Sequence, residues 1–125
     1  MSSKNTLPIG LDGARYPPSL APGDVCSVLN GDGGYSVVKV LARDPGVVHL
    51  RVYKERFGWR PARIDTESLS LGTIHDEDGF GIGHLPLSEG EFGLWEPIVT
   101  HRESVSDEEL GGYEMWKESG GGVWQ

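Results

Sequence analysis

Residues 24–54, DVCSVLNGDGGYSVVKVLARDPGVVHLRVYK, hold the pattern that decides the fold. Three runs rich in β-branched residues, at 24–30, 35–42 and 47–54, are separated by two short polar segments. The first separator is Gly-Asp-Gly-Gly and the second is Arg-Asp-Pro-Gly, and both are typical of tight turns. The spacing therefore predicts three antiparallel strands joined as a meander.

Alternation along the third strand assigns its side chains to two faces. The inward set consists of Val48, Leu50 and Val52. The outward set consists of His49, Arg51 and Tyr53, joined by Lys39 from the second strand. This outward set is polar, aromatic and basic, so it is either a ligand-binding face or a solvated surface.

An aromatic loop, ERFGWRP, follows the third strand at residues 55–61. Large aromatic side chains in a loop either cap the open end of a small barrel or form exposed anchors for a partner. The candidate binding residues are therefore His49, Arg51, Tyr53, Phe57, Trp59 and Arg60. A fourth, shorter strand is predicted near residues 69–74.

Residues 72–88, GTIHDEDGFGIGHLPLS, separate this β-rich half from a helical half. Imidazole and carboxylate groups are ordinary ligands for zinc and other divalent metals. The candidate metal ligands are His75, Asp76, Asp78 and His84. The alternative is a structural glycine-rich loop with solvated acids and histidines bonded to backbone. Neither the EF-hand pattern nor the dinucleotide-binding pattern fits this stretch.

Three glycines within this stretch, Gly79, Gly81 and Gly83, are spaced by two residues. In an extended chain they share one face, which lets another backbone, a ring or a ligand approach closely. We expect a strand that crosses tightly over another element, with ligand approach as the alternative. Phe80 and Ile82 would then point inward.

The hydrophobic period changes after the central stretch. Capping boxes of the form S-x-x-E begin at Ser88 and Ser106, and they predict helices at 89–94 and 107–118. Between them, the segment EPIVTHR at 96–102 predicts a strand, whose proline favours an edge position.

The second helix carries aromatic residues and two adjacent glycines. Its buried stripe is predicted to consist of Leu110, Tyr113 and either Trp116 or Met115. The glycines at 111 and 112 each weaken a helix by about 1 kcal/mol relative to alanine, and we interpret them as allowing close packing. The Val-Trp pair near the end of the chain is predicted to dock on the domain.

Length and composition predict one domain at 23–125, preceded by an irregular or disordered leader at 1–22 that is rich in proline and glycine. The single Cys26 excludes an intramolecular disulfide, and its strand-like surroundings predict a small core residue. No run is long and apolar enough to span a membrane, and the N-terminus lacks a signal-peptide pattern. These observations favour a cytoplasmic protein.

The net charge of −8 disfavours nonspecific binding to nucleic acid. The charge is uneven, because the segment 39–63 contains seven basic and two acidic residues. Such a segment either binds an acidic partner or pairs with the acidic helix of the same chain.

Three short motifs, PGDV at 22–25, GGY at 33–35 and KVL at 39–41, resemble the opening hairpin of small SH3-like or Tudor-like β-barrels. They are also similar to the start of bacterial immunity proteins from polymorphic toxin systems. The segments IHDEDGFGIGHLPLS and GGYEMWKESGGGVW resemble an uncharacterised bacterial family. The resemblance implies a small β-barrel and a protein partner, and it implies no site residues.

We therefore predict an α+β domain, a small bent antiparallel sheet or SH3-like β-barrel with a short helix and a C-terminal helix. Function is predicted to be non-enzymatic protein binding without a cofactor, with an immunity-type inhibitor of a basic toxin as one form. The alternative is a protein that binds zinc or another divalent metal, or a metal-dependent hydrolase, using the loop from His75 to His84. A third reading is a small accessory protein whose glycine-rich loop is structural.

Overall fold

The computed structural model describes residues 20–72 and 80–123. Its strands are β1 (Asp24–Leu29), β2 (Tyr35–Asp44), β3 (Val47–Phe57), β4 (Ile82–Ser88) and β5 (Ile98–Arg102). Its helices are α1 (Glu89–Leu94) and α2 (Gly111–Glu118), with a 3-10 turn at Thr66–Ser68. The strands form one antiparallel sheet in the order β4-β3-β2-β1-β5, which confirms the α+β class.

The three-stranded meander forms as predicted, with turns at both polar segments. Gly33 and Gly46 adopt positive φ angles of 91° and 78° in the two turns, a conformation that side chains disfavour. β2 pairs with β1 on one side and with β3 on the other, and bulges interrupt the β2–β3 register. Bulges bend strands, so the bent antiparallel sheet follows from these irregularities.

The sheet does not close into the predicted barrel. Closure would need pairing between β4 and β5, which are the two edge strands. In the described residues, β4 pairs only with β3 and β5 pairs only with β1. β4 runs directly into α1, whose N-cap is Ser88. α1 packs on one face of the sheet through Phe92, so the chain returns to the far edge instead of completing a ring.

One face of the sheet is almost entirely apolar. Phe92 of α1 and Leu20 lie in its core, together with Cys26, Val28, Val38, Val40, Val48, Leu50 and Leu87. Cys26 is fully buried, as predicted, and the inward set of β3 packs here. Leu20 belongs to this core although it falls in the predicted leader, so tertiary packing begins within that segment.

The opposite face is mixed. Val25, Val37 and Tyr53 form a small apolar cluster, covered by Phe57, Ile64, Leu69 and Leu71. Lys39 and His49 lie on the same face and are also buried. Segments 64–71 and 103–116 cover this face, so the outward set of β3 is not the solvated surface that its polarity suggests.

Gly81 crosses tightly over β3, as the glycine spacing predicts. A Cβ atom at Gly81 would lie 2.1 Å from the carbonyl oxygen of Val52. The expectation that Phe80 and Ile82 point inward is wrong, because their side chains are 55% and 41% exposed. The glycine turns its own Cα toward β3, which directs its neighbours to solvent.

The strand predicted near residues 69–74 is also misplaced. Residues 69–72 have no strand conformation, and the fourth strand is β4 at Ile82–Ser88. Leu69 and Leu71 cover the mixed face as parts of a loop. This loop is tied to the sheet by two backbone bonds, Lys54 N–H to Ser70 and Gly81 N–H to Leu71.

Helix α1 matches its prediction, and Glu91 N–H donates to Ser88 Oγ at 3.1 Å. The capping box of Ser106 and Glu109 also forms, with bonds of 2.9 and 3.1 Å. However, residues 107–110 form a turn and α2 begins only at residue 111. The Glu109 carboxylate also accepts from Lys39, so a tertiary contact fixes this turn.

Several predictions lie outside the described residues. These are the order of residues 1–19, the roles of His75, Asp76 and Asp78, and the docking of Trp124. No helix in the described ranges is long and apolar enough to cross a membrane.

Candidate functional site

A hydrogen-bonded chain of three side chains, Asp44, His49 and His84, links β2, β3 and β4 on the mixed face. His49 Nε2 lies 3.0 Å from Asp44 Oδ2, and His49 Nδ1 lies 2.9 Å from His84 Nε2. The two rings are nearly coplanar, with an interplanar angle of 11° and centroids 5.1 Å apart. Since the ring nitrogens meet at bonding distance, this is an edge-to-edge hydrogen bond.

The chain sets the tautomer of both rings when they are neutral. The ionised carboxylate of Asp44 can only accept, so His49 Nε2 carries a proton and donates it. Nδ1 of the neutral His49 then accepts from His84 Nε2, which leaves Nδ1 of His84 unprotonated. Within the described parts of the chain, the basic end of the relay is therefore His84 Nδ1.

Burial keeps both imidazoles neutral. It is the main reason that the pKa of His49 is lowered, with Lys117 adding to the effect and Asp44 opposing it. Burial also lowers the pKa of His84, and the charge of a protonated His49 would lower it further. Each ring thus resists protonation more than a free imidazole does.

Helix α2 covers the relay with aromatic rings. Tyr113 and Trp116 approach His49 edge-on, with centroid distances of 4.5 and 4.4 Å. A Cβ atom at Gly112 would lie 2.6 Å from the Cβ of His84, so a glycine is required for this approach. Tyr113 and Trp116 of the predicted stripe face His49 but are only partly buried, and Met115 is 71% exposed.

A buried cation fastens the C-terminal segment beside the relay. Lys39 Nζ donates to the Ser104 carbonyl at 2.7 Å and to both carboxylate oxygens of Glu109 at 3.1 Å. Arg51 lies 4.0 Å from the same carboxylate. Part of the basic segment therefore pairs with the acidic C-terminal segment of its own chain.

The acidic partner in this cluster is held ionised. Burial opposes ionisation of Glu109, but hydrogen bonds from Ser106 and Lys39 outweigh it and lower its pKa. Tyr53 lies on the same face, and burial raises the pKa of its phenol. Near neutral pH, Glu109 is therefore ionised and the phenol of Tyr53 is neutral.

This arrangement does not form a recognisable catalytic site among the described residues. No serine, threonine or cysteine there hydrogen-bonds to His49 or His84, so the relay lacks the pairing of nucleophile and base that marks covalent catalysis. In the same ranges no three His, Cys, Asp or Glu side chains are grouped to hold a metal ion. The hydrogen bonds of the relay join β2, β3 and β4 beneath the aromatic side chains of α2.

The aromatic loop after β3 differs from the relay in exposure. Trp59 is 76% exposed, whereas Phe57 packs against the apolar cluster of the mixed face. Arg60 fixes the loop by donating to the Ser27 carbonyl and hydroxyl at 3.0 and 2.8 Å. Its guanidinium also lies 4.8 Å from the centre of the Tyr35 ring.

The candidate binding residues therefore divide into two groups. His49, Arg51 and Tyr53 lie together on the mixed face, beneath or beside the C-terminal segment. Only the aromatic loop presents an exposed member of the set. Of the metal candidates, the structure describes His84 alone and places its Nε2 against His49.

Sequence reasoning missed the role of Asp44 in the relay and the contact between His49 and His84. Asp44 was assigned to a turn, yet it lies two residues from Ala42, which pairs with His49. Residues at i and i+2 share a strand face, so this diagonal neighbour of His49 could have been found once the hairpin register was fixed. The contact with His84 depends on where β4 pairs, and no local signal gives that.

Comparison of the chain with family models, curated proteins and solved structures gives no match.

Proposed function

We propose that the protein is a non-enzymatic protein-binding module that uses Trp59 as its anchor. The carrying observation is the 76% exposure of this large apolar side chain on a loop that Arg60 holds in place. Tryptophan is enriched among the residues that dominate interface energies. A preorganised loop also loses little conformational entropy on binding, which supports affinity.

The charge of the chain supports a basic partner. The net charge is −8, and several cations are consumed internally by ion pairs with Asp24, Asp32, Glu89 and Glu109. An acidic protein facing a cationic one associates rapidly through electrostatic steering. An immunity-type inhibitor of a basic toxin has this chemistry, and the similarity of the opening hairpin to immunity proteins favours it. The lone buried thiol of Cys26 suits a cytoplasmic location.

Capture of a partner with matched variants tests the proposal. Immobilised wild-type protein should retain a basic protein from a lysate of the source cells, and Trp59→Ala should lose it. Met115→Ala is the control, because it removes a similarly exposed apolar side chain from α2. Association with the purified partner should slow as salt rises. Equal capture by all three proteins would refute the role of Trp59, and salt-independent association would refute the basic partner.

The alternative is binding of zinc or another divalent metal by His75, Asp76, Asp78 and His84, with metal-dependent hydrolysis as its enzymatic form. The relay leaves only Nδ1 of His84 for this purpose, since Nε2 is held by His49. Zinc titration of EDTA-stripped protein tests the alternative. Uptake that disappears in the His75→Ala variant would support it, and uptake unchanged in that variant would exclude this ligand set.

A further inference from the structure

A cavity of about 550 Å³ opens at the end of the sheet where β1 finishes and β2 begins. This volume lies within the range of ligand-binding pockets. The lining residues that matter here are Val28, Asn30, Val52, Glu91, Leu94 and Trp95. Four of these six are apolar, and Glu91 is the only charged residue among the described residues of the lining, so the cavity favours an apolar occupant and disfavours an anion.

Asn30 contributes an unsatisfied donor to this lining. Its Oδ1 accepts from Ser36 Oγ at 3.0 Å. Its Nδ2 is shielded from solvent and has no hydrogen-bond partner within the described ranges. A buried donor without an acceptor is costly, and a ligand acceptor would recover that cost. Asn30 lines the cavity, so a rotation that turned its shielded Nδ2 toward the opening would present an N–H to an occupant.

Leu94 and Trp95, which form one wall of the cavity, are followed by a residue with a positive φ angle. Glu96 is the one residue other than glycine with a positive φ, 53°, among those described. Its N–H donates to the Gly93 carbonyl at 3.1 Å and ends α1. Leu94 is nevertheless 74% exposed at the edge of the cavity. Strained backbone and exposed apolar side chains both concentrate at binding sites.

The cavity lies at the same end of the sheet as the Trp59 loop. Leu29 of the lining pairs with Tyr35, and Tyr35 pairs with Phe57, two residues before Trp59. The two features lie on opposite faces, because Val28 and Trp95 of the lining belong to the apolar face whereas Phe57 packs on the mixed face. A partner anchored on Trp59 reaches the cavity by extending around this end of the sheet.

We propose that this cavity receives an apolar side chain of the partner protein together with its backbone amide. The Asn30 amide donates to the carbonyl oxygen of the inserted residue, and the Glu91 carboxylate accepts from its N–H. The pairing of one donor and one acceptor matches a peptide group, and the apolar wall matches the side chain. This inference rests on the proposed protein-binding function, and it adds the cavity to Trp59 as a second site of contact with the partner.

N-acetyl-leucinamide is the probe, and 3-methylbutan-1-ol, with the same branched alkyl end but no amide, is its control. In a ¹⁵N-labelled sample, the amide probe should shift the side-chain NH₂ signals of Asn30 and the indole signal of Trp95. Saturation is expected at about millimolar concentration, as suits so small a ligand. Asn30→Asp should weaken binding at least about tenfold, because it replaces the donor by an acceptor. Leu94→Ala should also weaken it, and its high exposure leaves the fold intact.

Three results would overturn the inference. These are unmoved Asn30 signals, equal binding of the alcohol and the amide, and shifts that depend on protein concentration alone, which would identify a second copy as the occupant. Trp59→Ala separates this inference from the proposed function, since it should abolish partner capture and leave the probe titration unchanged. If the probe fails while Trp59→Ala still abolishes capture, only the cavity is refuted. If the probe binds and the Trp59→Ala variant still captures the partner, the anchor role of Trp59 is refuted.

Discussion

Acid should destabilise the protein through the relay, and His84→Gln should remove part of that sensitivity. The pKa values of His49 and His84 are lowered in the folded protein, chiefly by burial. The unfolded chain, with an ordinary value of 6.5, therefore binds protons more readily than the folded one. By linkage, the free energy of unfolding is unaffected well above pH 6.5 and decreases as pH falls below it.

The size of the effect follows from the number of histidines. Each buried histidine contributes a slope of at most about 1.4 kcal/mol per pH unit between its ordinary and its lowered pKa. Two histidines give at most about 2.7 kcal/mol per pH unit. Glutamine at position 84 keeps a side-chain donor for His49 Nδ1 but does not titrate, so His84→Gln should remove up to about 1.4 kcal/mol per pH unit of slope.

Urea unfolding at pH 7.5, 6.5 and 5.5 measures this slope. The range stays above the ordinary glutamate pKa of 4.5, so the carboxylates of the Lys39 cluster contribute little. Contributions from His75 and His101 are common to both proteins and cancel in the difference. Met115→Ala, on the exposed side of α2, should keep the wild-type slope. An unchanged slope in His84→Gln would refute a relay of buried neutral imidazoles.

Three further comparisons of variants test the packing by the same urea measurement. Lys39→Met should lower the free energy of unfolding by about 3 kcal/mol, because it leaves the largely buried carboxylate of Glu109 without its lysine partner. Adding Glu109→Leu should recover part of the loss, and a double variant worse than the single one would contradict the pairing. Glu96→Gly should raise stability by about 0.5 kcal/mol, since relief of the left-handed backbone exceeds the entropic cost of glycine, and a loss would refute strain there. Gly81→Ala should cost at least about 2 kcal/mol because its Cβ would strike the backbone of β3, whereas Gly83→Ala, with ordinary contacts, should change stability by less than about 0.5 kcal/mol. Equal effects of the two alanines would argue against the tight crossing.

The sheet and the helix starts could be predicted because their signals are local. Turn glycines such as Gly33 and Gly46 and the alternation of apolar residues gave β1, β2 and β3 to within three residues. The capping box at Ser88 gave α1 with its bounds, because a cap satisfies backbone donors within one turn.

The misplaced elements depend on tertiary contacts. Leu69 and Leu71 have the composition of a strand, yet they cover the mixed face as a loop. Helix α2 starts late because the Glu109 carboxylate is shared between its local cap and Lys39. Residue pattern alone cannot show which face a distant segment covers.

At the candidate site too, residue pattern could not show which side chains a distant segment covers. His49 was correctly placed on the face opposite the aliphatic core, but its polarity suggested contact with solvent or ligand. Its burial follows from Tyr113 and Trp116, which lie more than 60 residues further along the chain. The exposure of Trp59, in contrast, agrees with one of the two roles that its loop position suggested.

Photo-crosslinking from position 59 tests the proposed function most directly. A photoreactive phenylalanine analogue replaces Trp59 in one sample and Met115 in another, and both proteins are irradiated with the captured partner. The anchor role predicts a covalent adduct with the partner from position 59 and none from position 115. Adducts from position 115 alone, or equal adducts from both positions, would contradict it.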